Sequence, residues 1–148
     1  MKTASQLYAA LRRFQDAYAA ALRPLCERSG MAQGAVDILL FLANNPGLDT
    51  ARDICTYRKL KPGIVSFHVD NLVREGYLLR TRDPGDRRRC RLVCTDKAAP
   101  IVARGQALQE QFVAQMSAGL APDALETFQH CLTAFAQNLD RMANREES

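Results

Sequence analysis

No stretch of roughly 18 apolar residues runs unbroken, so no segment is a candidate membrane span. The opening residues MKTASQLYAA lack the continuous apolar run of a secretion signal. The expected compartment is therefore the cytoplasm, with no membrane partner. The five cysteines, Cys26, Cys55, Cys90, Cys94 and Cys131, are odd in number and include no Cys-x-x-Cys pair. That is neither a disulfide framework nor a zinc-ligand spacing, and it fits reduced thiols used as small apolar residues. On a shared strand, Cys90 and Cys94 would sit about 13 Å apart, too far to bridge. There is no glycine-rich phosphate loop and no metal-ligand cluster, and histidine occurs only twice. His130 and Cys131 are neighbours on a helix and point about 100° apart, which spoils them as a base and nucleophile. These absences argue against an enzyme and imply no catalytic residue, no metal and no cofactor.

The 148 residues suit a single domain of ordinary globular composition, 47% hydrophobic and 24% charged. The net charge of +4 gains meaning once mapped. From Arg52 to Lys97 there are twelve Lys/Arg against six Asp/Glu, a net of +6. The rest of the chain carries a net of −2. A positive excess confined to one central block is the footprint expected for a polyanion partner.

Leu7, Leu11, Phe14, Tyr18, Leu22 and Leu25 recur at steps of three and four and predict a long helix from about Ser5 to Glu27. Pro24 is expected to bend or end it. A second helix, about Ala32 to Asn44, carries the run Ile38-Leu39-Leu40-Phe41-Leu42 and stops at Asn45-Pro46-Gly47. Asp49 or Thr50 can cap a short third helix ending near Arg58, and Thr50-x-x-Asp53 resembles a capping box. Pro62 opens a fourth helix, Gly76 ends it, and Ile64, Val65, His68, Val69 and Leu72 form its inward stripe. Two short helices joined by a tight turn form a helix-turn-helix. Leu78 to Arg82 and Arg89 to Thr95 read as strands around the turn Asp83-Pro84-Gly85-Asp86. Cys90, Leu92 and Cys94 are expected to face the core. A helix from Thr95 or Asp96 to about Gly119 should turn Ile101, Leu108, Phe112 and Met116 inward. After Pro122, Leu125, Phe128, Leu132, Phe135, Leu139 and Met142 repeat with a heptad-like spacing that suits a helical bundle. The expected fold class is mainly α with a small β-hairpin wing.

The segment NNPGLDTARDICTYRKLKPGIVSFHVDNLVREGYLLRTRDPGDRRRCRLVCT, Asn44 through Thr95, resembles the MarR family of bacterial winged helix-turn-helix transcription regulators. The likeness lies in Val65, Ser66, Val69-Asp70 and Leu72 of the fourth helix, in Glu75-Gly76, and above all in the wing tip Asp83-Pro84-x-Asp86-x-Arg88. It implies one MarR-like domain over 1–148, with a winged helix-turn-helix at about 32–95 and dimerisation helices at about 5–27 and 97–143.

The resemblance also implies that the fourth helix enters the major groove of double-stranded DNA, with Lys61, Ser66 and Phe67 near the bases and Asn71 near the backbone. Phe67 stands where the family usually has a polar or basic residue. Arg87, Arg88 and Arg89 at an exposed hairpin tip repel one another, which suits insertion into the negative potential of a narrow minor groove. Asp86 is the implied partner that orients Arg88. Arg82, with Arg52, Arg58, Lys59, Arg74, Arg80 and Arg91, is a candidate phosphate contact. The family implies a homodimeric repressor on a roughly palindromic site, released by a small-molecule effector near Arg12, Arg13, Tyr18 or Phe112. Two other readings remain. One is a thiol-based redox sensor of the same fold, with Cys26 between Arg23 and Arg28 as its candidate. The other is a winged-helix adaptor that binds protein.

Overall fold

A computed structural model describes residues 3–86 and 88–145. The elements in order are α1 (Thr3–Ser29), α2 (Gln33–Asn44), α3 (Ala51–Arg58), α4 (Pro62–Arg74), β1 (Leu78–Arg82), β2 (Cys90–Cys94), α5 (Ala99–Met116) and α6 (Pro122–Arg145). Among the described residues no helix is long and apolar enough to cross a membrane. The chain divides into two compact units, Met1–Phe112 and Val113–Ser148.

In the first unit, α1 runs through Pro24 without ending, two residues beyond the expected stop. The ring sits on the exposed side, and Ser29 Oγ closes the last turn by donating to the Leu25 carbonyl at 2.8 Å. Gly30, with a φ of 69°, then turns the chain. Most of α2 is buried, from Ala35 to Leu42, which explains its continuous apolar run. Thr50 caps α3 in the expected capping box: Asp53 N–H donates to Thr50 Oγ1 at 3.1 Å, and Thr50 N–H donates to Asp53 Oδ2 at 2.9 Å. Such a cap stabilises a short helix by about 1 kcal/mol. The α3–α4 turn places Lys59 in the left-handed region, φ 52°. Pro62 occupies the first turn of α4, where its missing N–H costs nothing.

β1 and β2 pair antiparallel, from Leu78 opposite Cys94 to Arg82 opposite Cys90. The core gathers Leu22, Val36, Ile38, Leu39 and Leu40 around Ile54, Val65, Val69 and Leu72, with Leu78 and Leu92 from the hairpin. On β2 the expected inward face is only partly covered: Leu92 is buried and Cys94 half-buried, whereas Cys90 is exposed. The hairpin leaves the core at that end, so alternation alone cannot bury Cys90. Ile64, expected inside, is nearly half exposed at the edge of the α4 stripe. Where α5 crosses α2, Gly105 admits Leu40: a Cβ there would lie 2.7 Å from Leu40 Cδ2. A 3-10 turn over Asp96–Ala98 precedes α5, so the helix starts later than expected.

In the second unit, α5 ends at Met116, and Gly119 adopts a φ of 82° before α6. Along α6, Phe128, Leu132, Phe135, Leu139 and Met142 are all more than half exposed. Met116, expected inward, is exposed as well. The heptad-like stripe is present, and its side chains lie exposed among the described residues.

Candidate nucleic-acid interface

The apolar period of α4 turns Val65, Val69 and Leu72 into the core and leaves Lys61, Ser66 and Phe67 exposed. Phe67 is 61% exposed. His68 is half-buried and packs against α2. A Cβ at Gly34 would come 2.5 Å from its Nε2, so that glycine allows the two helices to meet. Asn71 is half-buried, and its Oδ1 accepts from Arg74 Nη2 at 2.6 Å. Its side chain is thus partly committed within the helix.

At the wing, Arg87 lies outside the described residues, and Arg88 is exposed. Asp86 does orient its neighbour, but through the backbone: Oδ1 accepts from the Arg88 N–H at 2.9 Å. The Asp86 carbonyl accepts from the Arg89 N–H at 3.0 Å. Asp83 Oδ1 accepts from Gly85 N–H at 2.9 Å. Two aspartates therefore shape the turn that presents the arginines. Arg89 is exposed, as expected at the tip, but it has partners. Its guanidinium lies 3.2 Å from Asp49 Oδ1 and 4.0 Å from Asp83 Oδ2, because its place just before β2 faces the α2–α3 loop. Between the start of α3 and the wing lies a cleft of about 510 Å³, walled by Arg52 on one side and Arg88 and Arg89 on the other.

The other candidate cations sort by partner. Arg58 pairs with Asp37 at 3.2 Å, Arg80 with Asp70, and Arg91 with Asp49 at 2.6 Å. Arg52, Lys59 and Arg82 are exposed and have no ion-pair partner among the described residues.

Asp49 is the residue that sequence reasoning missed. A candidate cap for α3 by sequence, it instead joins two arginines 40 and 42 positions away, a link no local pattern signals. The residue is only 9% exposed. Burial pushes its carboxyl up, but the hydrogen bond and charge of Arg91, aided by Arg89, outweigh that and hold it below its ordinary value. A carboxyl lowered by folding stabilises the protein above its unfolded pKa of about 3.9 and loses that contribution as pH falls through the folded value. At pH 7, Asp49→Asn should melt lower than the parent by on the order of 1 kcal/mol, discounted because both arginines are partly solvated. The gap should close as the pH is taken below about 4, in melting curves of both proteins.

Cys26, the candidate redox sensor, is half-buried, and burial followed by the nearby Asp37 charge raises its thiol pKa. A thiol held protonated is the opposite of what such a sensor needs. Burial raises the Cys94 thiol too. Around Tyr18, one of the four residues named for an effector, the rings of Phe14 and Phe112 lie 6.1 and 5.6 Å away. Gln109 Nε2 donates to the Tyr18 hydroxyl at 2.8 Å. Arg12 instead pairs with Asp16 in solvent.

Residues 29–89 match the model of the MarR family. A comparison with curated proteins finds no match. Among solved structures, the crystal structure of transcriptional regulator PA3341 superposes with a TM-score of 0.82 at 22% identity, over 95% of this chain and 99% of that one. A MarR-family regulator from Silicibacter pomeroyi gives 0.76 at 21%, over 87% and 86%. CouR from Rhodococcus jostii, bound to p-coumaroyl-CoA, gives 0.71 at 20%, over 88% and 89%. Residues 29–89 are thus similar to the winged helix-turn-helix of the MarR family, and across nearly its whole length the chain has the fold seen in MarR-family structures.

Proposed function

We propose that the chain is a cytoplasmic, homodimeric DNA-binding repressor that reads a roughly palindromic operator and is released by a small-molecule effector. One observation carries the DNA reading: the exposed side of α4, with Lys61, Ser66 and Phe67, belongs to the same winged helix-turn-helix as a hairpin tip bearing exposed Arg88. Lys61 and Ser66 supply donors for a base edge or a phosphate, Phe67 an apolar contact for a thymine methyl, and Asn71 a backbone contact. Arg82, Arg87 and Arg88 supply charge at the wing. Arg89 contributes through its place in the hairpin, and Asp86 through the turn.

The exposed apolar stripes of α1 (Leu7, Leu11, Phe14) and of α6 are the surfaces for a second copy. A dimer sets two reading heads about one DNA turn apart and makes the site palindromic. The effector reading rests on the ligand in the CouR structure and on the Phe14–Tyr18–Phe112 cluster, which offers aromatic walls beside a hydroxyl. An effector releases DNA only if it favours the conformation that does not bind.

Titration with random duplex DNA at two salt concentrations tests the central claim. Affinity should fall steeply between about 50 and 200 mM salt, through counterion release. Absence of duplex binding at low salt would favour the protein-binding adaptor and overturn the proposal.

A further inference from the structure

We propose that Asp49, in the loop between α2 and α3, is the positioning residue of the wing, fixing the angle at which the hairpin meets DNA. The inference rests on the DNA-binding reading above. A hairpin of two five-residue strands is marginal on its own and takes its orientation from its anchors. Leu78 and Leu92 anchor its core side, while Leu79 and Val93 lie exposed on the other face. At its base, Thr95 N–H donates to the Tyr77 carbonyl at 3.0 Å, and Lys97 Nζ donates to the Glu75 carbonyl at 2.7 Å. Toward the tip, Asp49 supplies both kinds of tie. Its carbonyl accepts from the Leu92 N–H at 2.7 Å, extending β2 by a main-chain bond. Its carboxylate accepts from Arg91 Nε at 2.6 Å and from Arg89 Nη2 at 3.2 Å. Arg89 also reaches the Gly47 carbonyl at 3.4 Å.

A carboxylate this close to a DNA-facing surface repels phosphate, so charge alone would favour its removal. Its retention is explained by the geometry it imposes. This sets two effects of opposite sign against each other. Asp49→Asn adds one net positive charge, which strengthens sequence-independent binding, and loosens the wing, which weakens specific binding.

The experiment uses the full chain, a random duplex, and a duplex that the parent protein selects from random DNA. With Asp49→Asn, affinity for the random duplex should hold or rise, while affinity for the selected duplex falls about tenfold, the effect of one charged hydrogen bond. Hydroxyl-radical protection should vanish where the wing meets the flanks of the selected duplex and persist at its centre. Arg91→Gln should reproduce the lost flank protection, and the double variant should be no worse than either single one. Protection at the centre reports a folded recognition helix, and if Asp49→Asn fails to fold, the loss of flank protection with a protected centre in Arg91→Gln carries the test. Equal weakening on both duplexes, intact flank protection, or additive losses in the double variant would each overturn the role of Asp49. A parent protein that binds no duplex at all sinks the DNA reading itself, before any variant is made, and this inference with it.

Discussion

Replacing Arg87, Arg88 and Arg89 together by alanine should lower affinity for duplex DNA by on the order of a hundredfold at low salt, from the loss of two or more charge-assisted contacts. The slope of affinity against salt should fall by about two rather than three, because each phosphate contact adds about one and Arg89 is already neutralised. Its guanidinium sits 3.2 Å from the Asp49 carboxylate. Among single variants, Arg88→Ala should therefore flatten the salt slope more than Arg89→Ala. Binding curves at four or five salt concentrations give both numbers. An unchanged slope in the triple variant would mean that the wing does not touch the sugar-phosphate backbone.

Introducing aspartate at both Leu132 and Phe135 in α6 should convert the proposed dimer to monomer at micromolar concentration. Both side chains are more than half exposed in the isolated chain, in the middle of a stripe that continues to Phe128, Leu139 and Met142. Burying that remaining surface against a second copy stabilises the assembly by on the order of 1 kcal/mol per side chain in each subunit. Two charges reverse the sign. Sedimentation equilibrium reads the change in mass, and circular dichroism should show the helix content unchanged, because both side chains are more than half exposed. Affinity for the selected duplex should drop to that of one half-site, on the order of a hundredfold or more. A variant that stays dimeric would place the subunit interface elsewhere.

Much of this architecture was legible one element at a time. The capping box at Thr50 and Asp53, the proline opening α4, the glycine after it and the turn between the strands are local devices. Each acts within four or five residues, so sequence spacing and spatial spacing coincide. The inward stripes at Leu22, Ile38, Val65 and Leu72 followed from helical period in the same way. The period misled where an element leaves the core: Cys90 and Ile64 have the right alternation but sit at its margin. On α6 the period marked an apolar face that suits a bundle, and the structure leaves that face exposed; period alone cannot tell a face covered by the same chain from one left for another.

What the order of residues determined by itself is the set of elements, the helix-turn-helix among them, and the concentration of positive charge between Arg52 and Lys97. The tertiary structure alone decided which of those cations are available. Arg58, Arg80, Arg89 and Arg91 look alike in the sequence, yet each is drawn to an aspartate, and for Arg89 and Arg91 that aspartate is some 40 positions distant. The physical reason is range. Helix caps and turns satisfy backbone groups with their nearest neighbours, whereas an ion pair forms between whatever charges the fold brings within about 4 Å.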